Sequence, residues 1–403
     1  MSEASRHRTC PMPVRRVSPA DEHFFFGYYD KFPTNCSDRY LLGLKVDFIG
    51  RLPTHEEPAT VGYFDLAESQ PRFIPLGHSS SWCWQQSNMA QWLPEDNERL
   101  VVYNDFRDGE FVAVVHDLEQ GGTEVRVLPR AIYTYSQTGP VGLSVDFARV
   151  YKARAGYGYP NPAPFTDPSD LPQADGVWCV DTTSGQHRLV LPISAMAGLA
   201  PSVLEIPEAF HWVNHVQINP SGTRFACLHR FKAPSLTRNW ETRLITANMD
   251  GTDARVLGTR MVSHYDWQDD ETILGWALDR EGEQAFFLID DHSCDTGDFS
   301  ACFEPVAVDV VTNDGHCNFS PDRRFFANDT YPNADRDRVL MLVRCQDGVR
   351  FDIGNFHAPR FMDGEWRCDL HPNWFRNGTS VCIDSVHEGF RGLYVLDVRE
   401  LVD

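Results

Sequence analysis

The sequence predicts an all-β protein, a single seven-bladed β-propeller, on three observations. A polar turn followed by a strand of large apolar residues recurs seven times, most copies are followed by a further strand ending in a polar turn, and helical periodicity is almost absent. The first copy is TNCSDRYLLGL from Thr34, followed by LPEDNERLVVY from Leu93 and SQTGPVGLSVD from Ser136. The fourth to seventh are NPSGTRFACLH from Asn219, QDDETILGWAL from Gln268, SPDRRFFAND from Ser320 and FRNGTSVCIDS from Phe375. Each reads as a hairpin joining the innermost strand of a blade to the next strand out. The following strands are ATVGYFDL, FVAVVHDL, GVWCVDTTSG, RLITANMDGT, QAFFLIDD, LMLVRCQDG and GLYVLDV. The best helical stretch, Pro192 to Phe210, reads as an insertion between blades. A β-sandwich with regular hairpins, or a ring of six or eight blades, is the alternative that the same spacing leaves open.

No Gly/Ser-rich or Pro-rich linker divides the chain, so residues 17–403 are expected to form one propeller, with residues 1–16 as a flexible or ring-closing segment. Composition is 42% hydrophobic and 23% charged, with no apolar run long enough to span a bilayer. The N-terminal residues lack the apolar stretch of a secretory signal, which places the chain in the cytoplasm as an expectation. Eleven cysteines without a CxxC pair point to reduced thiols. A formal charge of -21 with no basic stripe argues against nucleic acid and anionic membranes as partners. An anionic ligand would need concentrated positive charge, from arginine or metal, against that background. A monomer or homodimer is expected.

Aligning the repeats on their turns brings one position, four residues before the turn, into register at the start of each inner strand. In the last four blades it is always histidine: His215, His264, His316 and His371. The first three blades carry Lys31, Met89 and Ile132 there. Inner strands surround the central channel, so four imidazoles at equivalent positions are expected to converge. Converging imidazoles bind ions such as Zn, Mn or Ca with oxygen co-ligands, or act as a general base near neutral pH. A structural histidine inherited by repeats is the bland alternative. Asn313, Asp314, Asn318 and Asp369 are candidates to complete a coordination sphere or orient the rings.

Other candidates lie nearby in the pattern. The segment DFARVYKARAGYGYPNP carries Tyr157 and Tyr159 spaced by Gly156 and Gly158, which suggests tyrosines on a mobile or tightly turned loop. His229 and Arg230 end the strand after His215, where Arg230 could fork onto a carboxylate. Gln85, Gln86 and Asn88 offer amides for a hydroxyl-rich ligand, and Trp82 and Trp84 could stack on a sugar ring. His387, Arg391, Tyr28 and Tyr29 are weaker candidates for the rim.

Taken in order, FFGYYDKFP, WQQSNMAQW, FARVYKARAGYGY, NHVQINPSGTRF, SHYDW, GHCNFSPD and DLHPNW resemble the propeller polysaccharide lyases. The set is closest to the ulvan lyase type and also similar to oligogalacturonate lyases. The resemblance runs from about Phe24 to the C-terminus. It implies a seven-bladed propeller with a divalent metal near its axis that cleaves uronate-containing oligosaccharides by β-elimination. It implies that His264 and His316 bind metal and that His215 stands at the position of the catalytic base; His371 joins the metal set from the register. The oligogalacturonate lyases have a Gln and a second His around the position of His316, where this chain has Asn313 and Asn318. The ulvan lyase pattern of histidine, tyrosine and arginine suggests Tyr157, Tyr159 and Arg230 as catalytic partners, with no residue-by-residue match; Gln85, Gln86, Asn88 and His229 are the candidates for binding substrate. Two rivals use the same histidines: a glycan- or protein-binding propeller with a structural metal, and a hydrolase using metal-bound water.

Overall fold

A computed structural model describes residues 6–199, 206, 208–258, 261–292 and 303–403. These form seven sheets, each built in its core from antiparallel strands and arranged as the blades of a propeller. The innermost strands are His23–Phe25, Gln91–Trp92, Thr134–Tyr135, Phe210–Ile218, Val262–Trp267, Asn318–Phe319 and Asn373–Trp374. Asn35 and Asn219 show why the repeated turns form. The Asn219 side-chain oxygen accepts the N–H groups of Thr223 (2.9 Å) and Arg224 (3.0 Å). Asn35 does the same for Arg39 (2.9 Å) and Tyr40 (2.8 Å). Each asparagine thereby supplies the acceptor that the turning backbone lacks.

The N-terminal residues close the ring. Val14–Arg16 pairs antiparallel with Gly392–Asp397 as the outermost strand of the seventh blade. His7–Thr9 pairs parallel with Arg350–His357, giving the sixth blade a fifth strand. An edge that would otherwise face water is thus occupied by the other end of the same chain.

Two details differ from the sequence reading. Phe147–Ala153 is an α-helix, although helical periodicity is almost absent and the stretch from Pro192 to Phe210 is the helical expectation. Its cap explains it: the Asp146 side chain accepts the N–H of Arg149, and Phe147 and Val150 bury one face. Of the stretch from Pro192 to Phe210, Ile193–Gly198 is helical and Phe210 already belongs to an inner strand; residues 200–205 and 207 lie outside the described residues. The nine cysteines among the described residues are all free thiols; Cys294 and Cys302 lie outside them. No helix among the described residues is long and apolar enough to cross a membrane.

Candidate functional site

The four register histidines meet at the axis. All are at most 3% exposed, and their rings follow one another with centroids 6.1 Å apart for His215 and His264, 4.1 Å for His264 and His316, and 4.3 Å for His316 and His371. His215 and His371 have φ of +53° and +44°. That left-handed backbone costs of order 1–3 kcal/mol for a residue other than glycine and persists only where the surroundings impose it. At His215 the surroundings are tyrosines. Its N–H donates to Tyr133 Oη at 2.9 Å, its carbonyl accepts from the Tyr265 hydroxyl, and its ring Nδ1 is 2.7 Å from Tyr28 Oη. The strand bulges here, since pairing with the neighbouring strand shifts between Asn214 and Gln217.

Each histidine has a different backing, and the backing separates their chemistry. Asp314 Oδ1 accepts from His264 Nδ1 at 3.0 Å, and Asp329 Oδ1 accepts from His316 Nδ1 at 2.9 Å. A carboxylate on Nδ1 leaves Nε2 of a neutral ring as the lone-pair nitrogen, which is the arrangement of a metal-ligating histidine. His316 Nε2 and both nitrogens of His371 are buried without a hydrogen-bond partner among the described residues. Leaving such groups unmet costs about 1–3 kcal/mol each. Ligand atoms of His316, Asp369 and His371 lie within 4.8 Å of one another. These residues fit a divalent cation, with His264 adjoining them. Asp369 is also held by Arg338 (2.8 Å) and Arg367 (2.7 Å). Burial opposes its charge, yet Arg367 and Arg338 keep its carboxyl well below the usual range.

His215, backed by tyrosine, opens on a cavity of about 660 Å³ together with Tyr157, Arg230, Arg154, Arg367, His264 and Tyr331. Burial, then Arg230 and His264, push its pKa well below that of an ordinary histidine, so the ring is neutral at pH 7. Arg230 is 4% exposed, and its Nε and Nη1 have no hydrogen-bond partner among the described residues. Burial, aided by Arg154, lowers its pKa to about 10, which leaves the guanidinium charged. The Tyr157 ring lies 5.8 Å from that of His215, and its hydroxyl oxygen accepts from Arg367 at 2.8 Å. The local positive charge that an acidic chain needs to hold an anion is therefore present.

Other sequence candidates serve the scaffold. Tyr159 is buried, stacked on Phe147 at 4.3 Å, and accepts a hydrogen bond from Asn104. Gln85 donates to the carbonyls of Glu365 and Arg367, Gln86 donates to Tyr133, and Asn88 is fully buried. His229 stacks on His211 at 5.2 Å and accepts from Arg243 through Nδ1. None of these five lines the large cavity. Trp82 and Trp84 are fully buried, their indole N–H groups donating to the carbonyls of Glu57 and Arg51. Tyr28 and Tyr29 lie beneath the histidine ring, buried, instead of at the rim. Asn313 is exposed, while Asn318 lines a second cavity of about 220 Å³ with Gln217 and Asp266, which stand two residues past the register histidines. His387 hydrogen-bonds Ser385, and Arg391 donates to the Trp84 carbonyl.

Residues the sequence reading missed include Asp329, Arg154, Arg367 and Tyr331. Aligning the second strand of each blade would have exposed Asp329, because VVYN, FAND and VCID put Asn104, Asp329 and Asp384 at one position.

The buried histidines make a prediction for stability. His211, His215, His229, His264 and His371 all have folded pKa values below the ordinary one, chiefly through burial. The unfolded chain therefore takes up protons that the native state refuses, and stability falls as pH drops below about 6.5. Asp175, Asp266 and Asp384, raised to about 6 by burial, act in the opposite sense between about pH 6 and 4. Five groups outweigh three, so Tm of the chelator-treated protein is expected to be lower at pH 5 than at pH 7.5. An equal or higher Tm at pH 5 contradicts the neutral-histidine assignment.

No protein-family model matches the sequence, and no curated protein matches it either. Among solved structures the chain is similar to an oligogalacturonate lyase from Vibrio parahaemolyticus, with TM-score 0.62 and 15% identity over 97% of this chain and 95% of that one. It is similar to an oligogalacturonate lyase in complex with manganese, with TM-score 0.63 and 14% identity over 96% and 93%. The β-propeller domain of the Trilobed protease from Pyrococcus furiosus follows at TM-score 0.50 and 10% identity, over 93% and 96%. At these identities the likeness is one of fold, a seven-bladed propeller.

Proposed function

We propose that the protein is a lyase that cleaves uronate-containing oligosaccharides by β-elimination. One observation carries the reading: a neutral buried histidine, an arginine with unpartnered N–H groups and a tyrosine face one cavity. The C5 proton of a uronate is only weakly acidic, so its removal needs the adjacent carboxylate neutralised. Arg230 pairs with that carboxylate, whose oxygens meet the guanidinium N–H groups. His215 takes the proton, held in place through Tyr28, Tyr133 and Tyr265. The Tyr157 hydroxyl, its oxygen accepting from Arg367, gives its proton to the departing C4 oxygen. Arg154, with its guanidinium 4.0 Å above the Tyr157 ring and 4.7 Å from that of Trp240, adds positive charge beside the acid.

His316 and His371, with Asp369 and His264 beside them, would hold a divalent cation of the Mn or Zn class. Such an ion supplies further positive charge for a carboxylate or a developing enolate. The manganese named for the oligogalacturonate lyase supports this reading, as does the shared fold. Ulvan-type and galacturonate oligosaccharides are the leading substrate classes, with glucuronan as a third uronate to compare.

The test follows ultraviolet absorbance of the 4,5-unsaturated uronate on ulvan, oligogalacturonate and glucuronan oligosaccharides, with and without chelator. Rising absorbance with at least one of them is the expected result, reduced tenfold or more by chelation. A flat trace across a broad uronate panel, at any metal content, overturns the lyase reading.

A further inference from the structure

We infer that Asp329 is the positioning residue of the axial metal site, one carboxylate that sets the ring of His316 and the backbone of His371 together. The inference rests on the metal-binding part of the proposed function and does not depend on the reaction or the sugar.

Asp329 ends the second strand of the sixth blade and is 1% exposed. Its Oδ1 accepts from the His316 backbone N–H at 2.8 Å and from His316 Nδ1 at 2.9 Å. Its Oδ2 accepts from the N–H groups of Leu370 at 3.1 Å and His371 at 3.2 Å. Four donors therefore converge on one buried carboxylate, two from the sixth blade and two from the seventh. The first oxygen requires a proton on His316 Nδ1, which turns the unpartnered Nε2 toward the shared space as a lone pair. The second oxygen anchors the peptide on which His371 takes φ of +44°, the conformation that places its ring 4.3 Å from that of His316. Ring orientation in one blade and backbone pose in the next are thus coupled through a single side chain.

The same position in two other blades shows what a purely structural clamp looks like. Asn104 holds the backbone of Ile132 through both N–H and C=O, at 2.8 Å each, and Asp384 accepts from the Phe26 N–H at 2.9 Å. Neither hydrogen-bonds an imidazole through its carboxyl or amide among the described residues. The clamp belongs to the fold. Its link to a histidine ring belongs to the sixth blade, beside the unpartnered imidazole nitrogens of His316 and, across the blade boundary, His371.

The test compares Asp329→Asn with Asp384→Asn, each isosteric and each disturbing one clamp. Chelator-treated protein is titrated calorimetrically with Mn²⁺ and, separately, with Zn²⁺. The expected result is a loss of roughly tenfold to a hundredfold in metal affinity for Asp329→Asn. Asp384→Asn should stay within twofold of the parent, while Tm falls in both. In parallel, ¹⁵N NMR of metal-free parent protein labelled at histidine should show His316 as a single tautomer protonated at Nδ1, a measurement that needs no variant. Equal losses of affinity in the two variants, no metal uptake by the parent, or His316 protonated at Nε2 would each overturn the inference. None of these readouts involves substrate, so a protein that yields no unsaturated uronate but shows the Asp329 effect loses the lyase reading alone.

Discussion

Replacing His215 by Asn is expected to lower kcat on the preferred uronate oligosaccharide by roughly 10² to 10⁴, the range for loss of a positioned general base. Asparagine is chosen because it tolerates the left-handed backbone that the residue adopts at φ +53°. The Tyr133 and Tyr265 contacts are to backbone atoms and survive the change. KM should move little, since the ring acts on the proton in flight and contributes little to binding. Metal content should match the parent, because the His215 ring is tied to Tyr28 and stands outside the His316, Asp369 and His371 cluster. Steady-state kinetics with metal analysis on the same preparation decide the matter. A variant that keeps more than a tenth of the activity rules out His215 as the base; one that loses the metal as well makes it part of the metal centre instead.

Arg230→Met is expected to lower kcat/KM by roughly 10² to 10³, in line with removing one half of a desolvated charge pair, while raising Tm. The two effects have opposite signs because they share one cause. A buried guanidinium carries a desolvation penalty of several kcal/mol unless it is paired, and Nε and Nη1 of Arg230 find no partner among the described residues. Methionine fills similar volume without charge, so the free protein gains what the complex loses. The stability difference should shrink when a uronate oligosaccharide is bound to the parent, because the ligand supplies the missing carboxylate. Thermal melts of both proteins with and without ligand measure it. A fall in Tm with activity retained would mean that Arg230 is a structural pillar and that the carboxylate is met elsewhere.

Much of the architecture could be read from the chain because blades are local. Each turn is specified within about five residues, as the Asn219 and Asn35 bonds show, and the strands that follow alternate or run apolar according to their own burial. The histidine register was visible for the same reason, since repeats in sequence are equivalent positions in space. The site was harder to read. Gln85, Gln86, Asn88 and His229 look like ligand-facing residues in a string of letters, yet each is spent on another part of the protein. Tyr157 and Tyr159 are two residues apart, each preceded by a glycine, and were indistinguishable by sequence. In the turn that follows the helix Phe147–Ala153, the Tyr157 hydroxyl accepts from Arg367 beside the cavity, while the Tyr159 ring stacks on Phe147.

Local chemistry, then, determined the seven blades, the polar turns and the placing of four histidines at one register, because those features depend on neighbours a few residues away. The division of labour among the histidines was decided only by the tertiary structure. Asp329 meets His316 and His371 across two blades, Asp314 reaches His264 from 50 residues on, and Tyr28 reaches His215 from 187 residues away. Whether a neutral imidazole presents a lone pair or is tied up depends on what its other nitrogen touches, and those partners come together only when the ring of blades has closed.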